Sequence, residues 1–141
     1  MAMAARIDHL FEVFDRLFAI KEDCSSEIFC ECGLDDMTAR QIAYLKAIDE
    51  HRDVTFTRLA EITKNSKPTI TEMVDRFVQI ECAYRQRSPD DGRVVHIRLT
   101  EKGRMIANVE QNALYRMIDR MVQMLDEDEV DLLVEILRKV G

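Results

Sequence analysis

Apolar residues recur every three or four positions over most of the chain and change to alternation over one short stretch, a pattern that predicts a mainly α fold carrying a single β-hairpin. Ile7, Leu10, Phe11, Phe14, Leu17 and Phe18 share one face of a helix predicted over about residues 4–22. Its three Phe residues read as core or subunit interface. Between residues 21 and 36 the period breaks. Asp23, Ser25 and Ser26 offer turns or caps and Cys32-Gly33 offers a helix stop, so the segment reads as a connector or as a frayed extension of the first helix. Asp36 or Thr38 caps a second helix that carries Ile42, Ala43, Leu45, Ala47 and Ile48 and ends near Glu50, since a short side-chain oxygen there accepts the free amide hydrogens of the first turn.

A short helix follows, entered through Thr55 or Thr57 and bearing Phe56, Leu59, Ala60 and Ile62. The polar turn Lys64-Asn65-Ser66 separates it from a longer helix capped by Ser66, with Pro68 in the first turn, where its missing N–H costs nothing. Ile70, Met73, Val74, Phe77 and Val78 give that helix a buried stripe. Alternation over residues 83–87 and 94–99 predicts two strands, joined by a turn at residues 88–93 that contains Pro89, Asp90, Asp91 and Gly92. Thr100 and Glu101 start a helix whose 3.6-residue period runs through Met105, Ile106, Val109, Ala113, Met117, Met121 and Met124 or Leu125, about six turns in all. Asp126 or Asp128 opens a last helix with Val130, Leu133, Ile136, Leu137 and Val140 on its apolar side.

Two helices joined by a tight polar turn and followed by a hairpin form a winged helix-turn-helix, whose second helix enters the DNA major groove while the hairpin tip reaches the flanking backbone or minor groove. Ser66, Lys67, Thr69, Thr71 and Arg76 supply hydroxyl and cationic donors suited to phosphates and base edges. Arg85, Arg87 and Arg93 place three guanidinium groups on the hairpin, with Arg93 at the tip suited to a narrow minor groove.

Composition agrees with one helix-rich domain: 141 residues, 47% apolar and 33% charged, with only 4 Gly and 2 Pro. The net charge of −7 argues against a nucleic-acid partner until its distribution is considered. Residues 52–104 hold 11 Lys and Arg against 8 Asp and Glu, or +3, so the remainder holds 9 against 19, or −10. The acid sits outside the segment expected to meet DNA. No uncharged apolar run is long enough to span a membrane and the N-terminus lacks a signal-peptide core, which predicts a cytoplasmic protein without a membrane partner.

In that setting Cys24, Cys30, Cys32 and Cys82 are expected as thiols. The first three have the spacing C-x5-C-x-C, which is not a standard zinc or iron–sulfur spacing, and two readings stand: small buried hydrophobes, or a redox or metal sensor. Cys82 reads as a buried small residue. His9, His51 and His96 are scattered, and no phosphate loop, nucleophile elbow or HExxH pairing occurs, so no enzyme is expected. Met117, Met121 and Met124 read as core, with the floor of a pliable effector pocket as the alternative.

In order and spacing the middle of the chain resembles the MarR family. The residues concerned are Met37-Thr38-Ala39-Arg40-Gln41, Leu59-Ala60, Ser66-Lys67-Pro68-Thr69 with Thr71, then Arg85, Ser88-Pro89, Asp91-Gly92-Arg93 and Leu99-Thr100-Glu101-Lys102-Gly103-Arg104. The resemblance implies a single MarR-like domain with residues 37–104 as a winged DNA-binding lobe and residues 1–36 and 105–141 as dimerisation helices. It also implies a homodimer with two wings on a pseudopalindromic double-stranded DNA site, and repression relieved by a small-molecule effector lying between the dimer helices and the lobe. Arg93 would be its minor-groove arginine and Asp91 the residue that positions the wing. Long apolar stripes at both ends of a small chain support pairing independently. The alternative is an acidic helical dimer that uses its winged domain for protein contact and its cysteines for a metal or redox site. In one place the chain departs from the family: Glu81 stands where a glycine is usual at the end of the recognition helix.

Overall fold

A computed structural model describes residues 2–35 and 37–141. The elements run α1 (Met3–Glu31), α2 (Ala39–Glu50), β1 (Val54–Thr55), α3 (Phe56–Thr63), α4 (Lys67–Gln79), β2 (Ala83–Arg87), β3 (Val95–Leu99), α5 (Glu101–Ala107), α6 (Val109–Val122) and α7 (Glu127–Arg138). They group into two compact units, one of Ile28–Val109 and the other of the chain up to Glu27 together with Glu110–Gly141. The first is the winged lobe, wider at both ends than residues 37–104.

Helix α1 continues nine residues past the predicted end at 22. Nothing between residues 22 and 31 stops it, since the stretch lacks Gly and Pro, and Cys24, Ile28 and Phe29 carry a buried stripe through it. The expected stop at Cys32-Gly33 is used. Gly33 takes φ +68, its amide donates to Cys30 O at 3.0 Å, and the Leu34 amide donates to Phe29 O at 2.9 Å, the paired bonds of a Schellman end. Thr38 caps α2 reciprocally with Gln41. Asp36, the other candidate cap, lies outside the described residues.

In the lobe, α2, α3, α4 and α5 close on a core that includes Leu45, Leu59, Ile70, Val74, Phe77 and Ile106. The sheet has strand order β1-β3-β2 and is antiparallel throughout, with Val54 opposite Ile97 and Arg85 also opposite Ile97 on the other side. Strand β1 has two residues, too few to show alternation, and no strand was expected there. The helix predicted to run unbroken from Thr100 divides at Asn108. That side chain donates from Nδ2 to Arg104 O at 2.9 Å and to Asp49 Oδ2 at 3.0 Å, so it serves the helix ladder and α2 at once and interrupts the regular turn.

The second unit is less closed. On α1, Ile7, Leu10, Phe11, Phe14 and Phe18 are exposed, and α7 buries no residue although Asp126 and Glu129 give it a reciprocal cap. Within this unit Arg120 donates through Nη2 to both carboxylate oxygens of Glu27 at 2.7 Å, which holds its guanidinium pKa above the ordinary range, and Lys21 pairs with Glu110. Among the described residues no helix is long and apolar enough to cross a membrane.

Candidate nucleic-acid interface

Helix α3 starts at Thr55, whose Oγ1 accepts from the Arg58 amide at 3.1 Å, and ends at Lys64 in the left-handed region with φ +56. The chain turns there and the Asn65 amide donates back to Ala60 O at 3.0 Å. Ser66 then caps α4. Ile70, Val74 and Phe77 pin one face of α4 to the core, at about 1.5–3 kcal/mol for each fully buried side chain, so the opposite face must point outward. Thr71 and Arg76 are exposed on its two flanks, and Lys67 is exposed at the first position of the helix. Thr69 is half-buried, and its hydroxyl lies 2.8 Å from the Ser66 hydroxyl, so the two share a hydrogen bond, while Thr71 is exposed.

The wing is built by β2, β3 and the turn between them. Ser88 N donates to Val94 O at 2.8 Å, and Arg87 Nη1 donates to Gly92 O at 2.9 Å, drawing the tip together from inside. Asp91 Oδ1 accepts the Arg93 amide at 3.0 Å and stands 3.5 Å from Arg93 Nε. The Arg93 side chain is 94% exposed, the most forward cation of the wing. Arg85 is not aimed at solvent in the same way. Its guanidinium pairs with Asp75 of α4 and stacks 5.6 Å from the centroid of the Phe56 ring, so it ties wing, recognition helix and α3 into one body.

The root of the wing is equally constrained. Glu81 closes α4 with φ +63, its amide donating to Val78 O at 3.1 Å and the next amide, of Cys82, donating to Phe77 O at 2.8 Å. This repeats the Schellman end of α1 with Glu in the place of Gly. Thr100 Oγ1 donates to Glu81 O at 2.6 Å and Lys102 Nζ to Ile80 O at 2.8 Å. Gly103 packs so tightly that a Cβ there would lie 1.9 Å from Cys82 O. The Leu-Thr-x-x-Gly run therefore has a steric reason: Thr100 caps α5 and Gly103 lets α5 touch the wing root.

The cysteine trio does not gather. Cys24 is buried, Cys30 exposed and Cys32 intermediate, and six helical residues turn Cys24 and Cys30 to different faces of α1. No group of three or more His, Cys, Asp or Glu among the described residues could hold a metal ion. Cys82 is buried as expected. Burial pushes its thiol pKa up, the Lys102 ammonium pulls it partly back, and Cys32 lies close enough to raise it further.

One cluster has no signature in the sequence. Arg40 lies in the motif at the start of α2 one helical turn before Tyr44, and it meets Asn65 across a separation of 25 residues, which no local spacing encodes. Beside it a groove of about 540 Å³ runs between α2 and α4, with Arg40 and Tyr44 on one wall and Thr69, Met73 and Arg76 on the other.

A recognition helix with a polar outward face, a tight turn before it and a cationic hairpin after it define a DNA-binding winged helix-turn-helix protein. The model of the MarR family matches residues 37–95. Over 132 residues the chain is 29% identical to the HTH-type transcriptional regulator MhqR of Bacillus subtilis (strain 168), spanning 94% of this chain and 89% of MhqR. A single-residue mutant of MarR from E. coli, solved in complex with operator DNA, superposes with a TM-score of 0.52 at 25% identity, covering 99% of both chains. S. aureus MepR bound to ethidium bromide gives a TM-score of 0.62 at 19% identity over 94% of this chain and 92% of MepR. Over residues 37–95 the chain is similar to the MarR family of transcriptional regulators.

Proposed function

We propose that this protein is a cytoplasmic repressor that pairs with a second copy of itself, sets two winged lobes on a pseudopalindromic operator and leaves it when an effector binds. The observation that carries the reading is the placement of donors: Lys67, Thr71 and Arg76 stand outward on α4 and Arg93 at the wing tip, in a segment of charge +3 within a chain whose remainder is −10. Arg93 serves a narrow minor groove, Asp91 sets the turn that presents it, Thr71 and the Ser66–Thr69 pair face the major groove, and Arg85 and Arg87 stiffen the wing. MarR solved with operator DNA supports the DNA partner. MepR solved with ethidium bromide supports a small organic effector. Pairing through α1, α6 and α7 is supported by their exposed apolar residues, which a second copy would cover. Oxidation is a second route to release, supported by the exposure of Cys30; a Cys24, Cys30 and Cys32 triple serine variant with an unchanged oxidant response would remove it.

Fluorescence anisotropy with labelled DNA from upstream of the protein's own coding region, repeated across a salt series, tests the function. Binding should weaken steeply with salt, and Arg93→Ala should weaken it on every sequence while making the slope shallower by about 0.9 for each phosphate that is no longer neutralised. Thr71→Val should instead change which sequence is preferred. Absence of binding at low salt would overturn the proposal.

A further inference from the structure

Arg40 is exposed, yet its guanidinium is held in one place. Nε donates to the Tyr44 hydroxyl at 3.0 Å, Nη2 donates to Asn65 Oδ1 at 3.2 Å, and the guanidinium carbon lies 5.6 Å from the centroid of the Tyr44 ring. Its two holders are themselves fixed. Tyr44 is buried, and its hydroxyl accepts a second hydrogen bond from Asn65 Nδ2 at 2.6 Å, which fills both of its acceptor positions. Asn65 Nδ2 also donates to Thr63 O at 3.0 Å, and its amide donates to Ala60 O at 3.0 Å.

Both groups holding Arg40 are neutral, so the contacts orient its charge without cancelling it. Among the described residues two of its five N–H donors are engaged. Of the two acids on the adjoining groove, Asp75 is committed to Arg85, and Glu72 lies a turn further along α4 than Thr69. Asn65 immediately precedes Ser66, the cap of α4, so Arg40 is stationed at the leading end of the recognition helix. A recognition helix enters the major groove by that end, between the phosphates that border the groove. A planar guanidinium with parallel donors is the group that grips a phosphate in a fixed orientation.

We infer that Arg40 grips a DNA phosphate bordering the groove entered by α4, and that Tyr44 and Asn65 are positioning residues that hold its guanidinium for that contact. The inference rests on the DNA-binding function proposed above and adds to it a contact from α2, outside the helix-turn-helix and the wing. It also gives the Arg40–Tyr44–Asn65 network a purpose beyond joining α2 to the turn.

The test is a salt series of anisotropy titrations on the full chain with the same upstream duplex, for wild type, Arg93→Ala, Arg40→Ala, Arg40→Lys, Tyr44→Phe and the Arg40→Ala/Tyr44→Phe double variant, each checked for its unfolding midpoint. Arg40→Ala should lose roughly tenfold or more in affinity at low salt, as for a hydrogen bond to a charged group. Its slope of log affinity against log salt should be shallower by about 0.9 for each chain bound. Arg40→Lys keeps the charge and should keep most of the slope while losing part of the affinity. Tyr44→Phe keeps the ring and the Arg40 charge, so it should weaken binding at an unchanged slope, and that loss should vanish in the Arg40→Ala background. An Arg40→Ala variant with wild-type slope, or a Tyr44→Phe loss that persists without Arg40, would overturn the inference even where wild type binds and Arg93→Ala behaves as proposed. A wild-type chain that binds no duplex would remove the underlying function as well.

Discussion

Helices α4 and α7 are of almost equal length, 13 and 12 residues, and each opens on a side-chain cap and carries an apolar stripe. Yet α4 buries Ile70, Val74 and Phe77, whereas α7 buries nothing and leaves Leu132, Ile136 and Leu137 about half exposed. A periodic stripe states that a helix has an apolar face. It does not state whether the cover for that face comes from the same chain. The lobe finds its cover internally, which suits a body that must present Lys67, Thr71 and Arg93 in fixed relation, while the flanking helices keep open faces that fit pairing with a second copy.

Breaking the closed region should have the largest effect. Phe77→Ala removes a fully buried ring from the lobe core and should cost about 4 kcal/mol, read from urea unfolding. Gly103→Ala comes next, since its Cβ would meet the backbone carbonyl of Cys82 and force α5 away from the wing root; about 3 kcal/mol is expected, with the wing amides losing protection first in hydrogen exchange. Glu81→Gly should act in the opposite direction. It relieves the left-handed backbone at the end of α4 and should raise stability by about 1 kcal/mol, seen as a higher unfolding midpoint. On the open region, Leu137→Ala should change the stability of the single chain by about 0.5 kcal/mol or less. Its visible effect should be a shift to higher protein concentration of the point at which sedimentation reports a paired species.

Local chemistry was legible where a residue acts within a few positions of itself. Thr38, Thr55, Ser66, Thr100 and Asp126 cap the helices assigned to them, the hairpin closes at residues 88–93, and Glu81 falls where glycine would be preferred. Features set by distant partners were not legible. The division between α5 and α6 depends on Asn108 reaching Asp49, the ion pair of Arg85 depends on Asp75, and β1 exists because Val54 and Thr55 lie beside β3. The extension of α1 to Glu31 is one of the two readings the sequence leaves open: Asp23, Ser25 and Ser26 resemble turn formers, but with no Gly or Pro before Gly33 they are tolerated inside a helix whose Ile28 and Phe29 are buried. The three wing arginines illustrate the same limit. Spacing places all of them on the hairpin, but only their contacts separate Arg93, which reaches outward, from Arg85 and Arg87, which brace the structure.

Amide hydrogen exchange on the whole chain, with and without the upstream duplex, tests the division of labour most directly. Added DNA should protect the start of α4 and residues 88–93, with any change in α7 much smaller. Protection confined to α1 and α7, with α4 and the wing unchanged at a DNA concentration that saturates binding, would contradict the account.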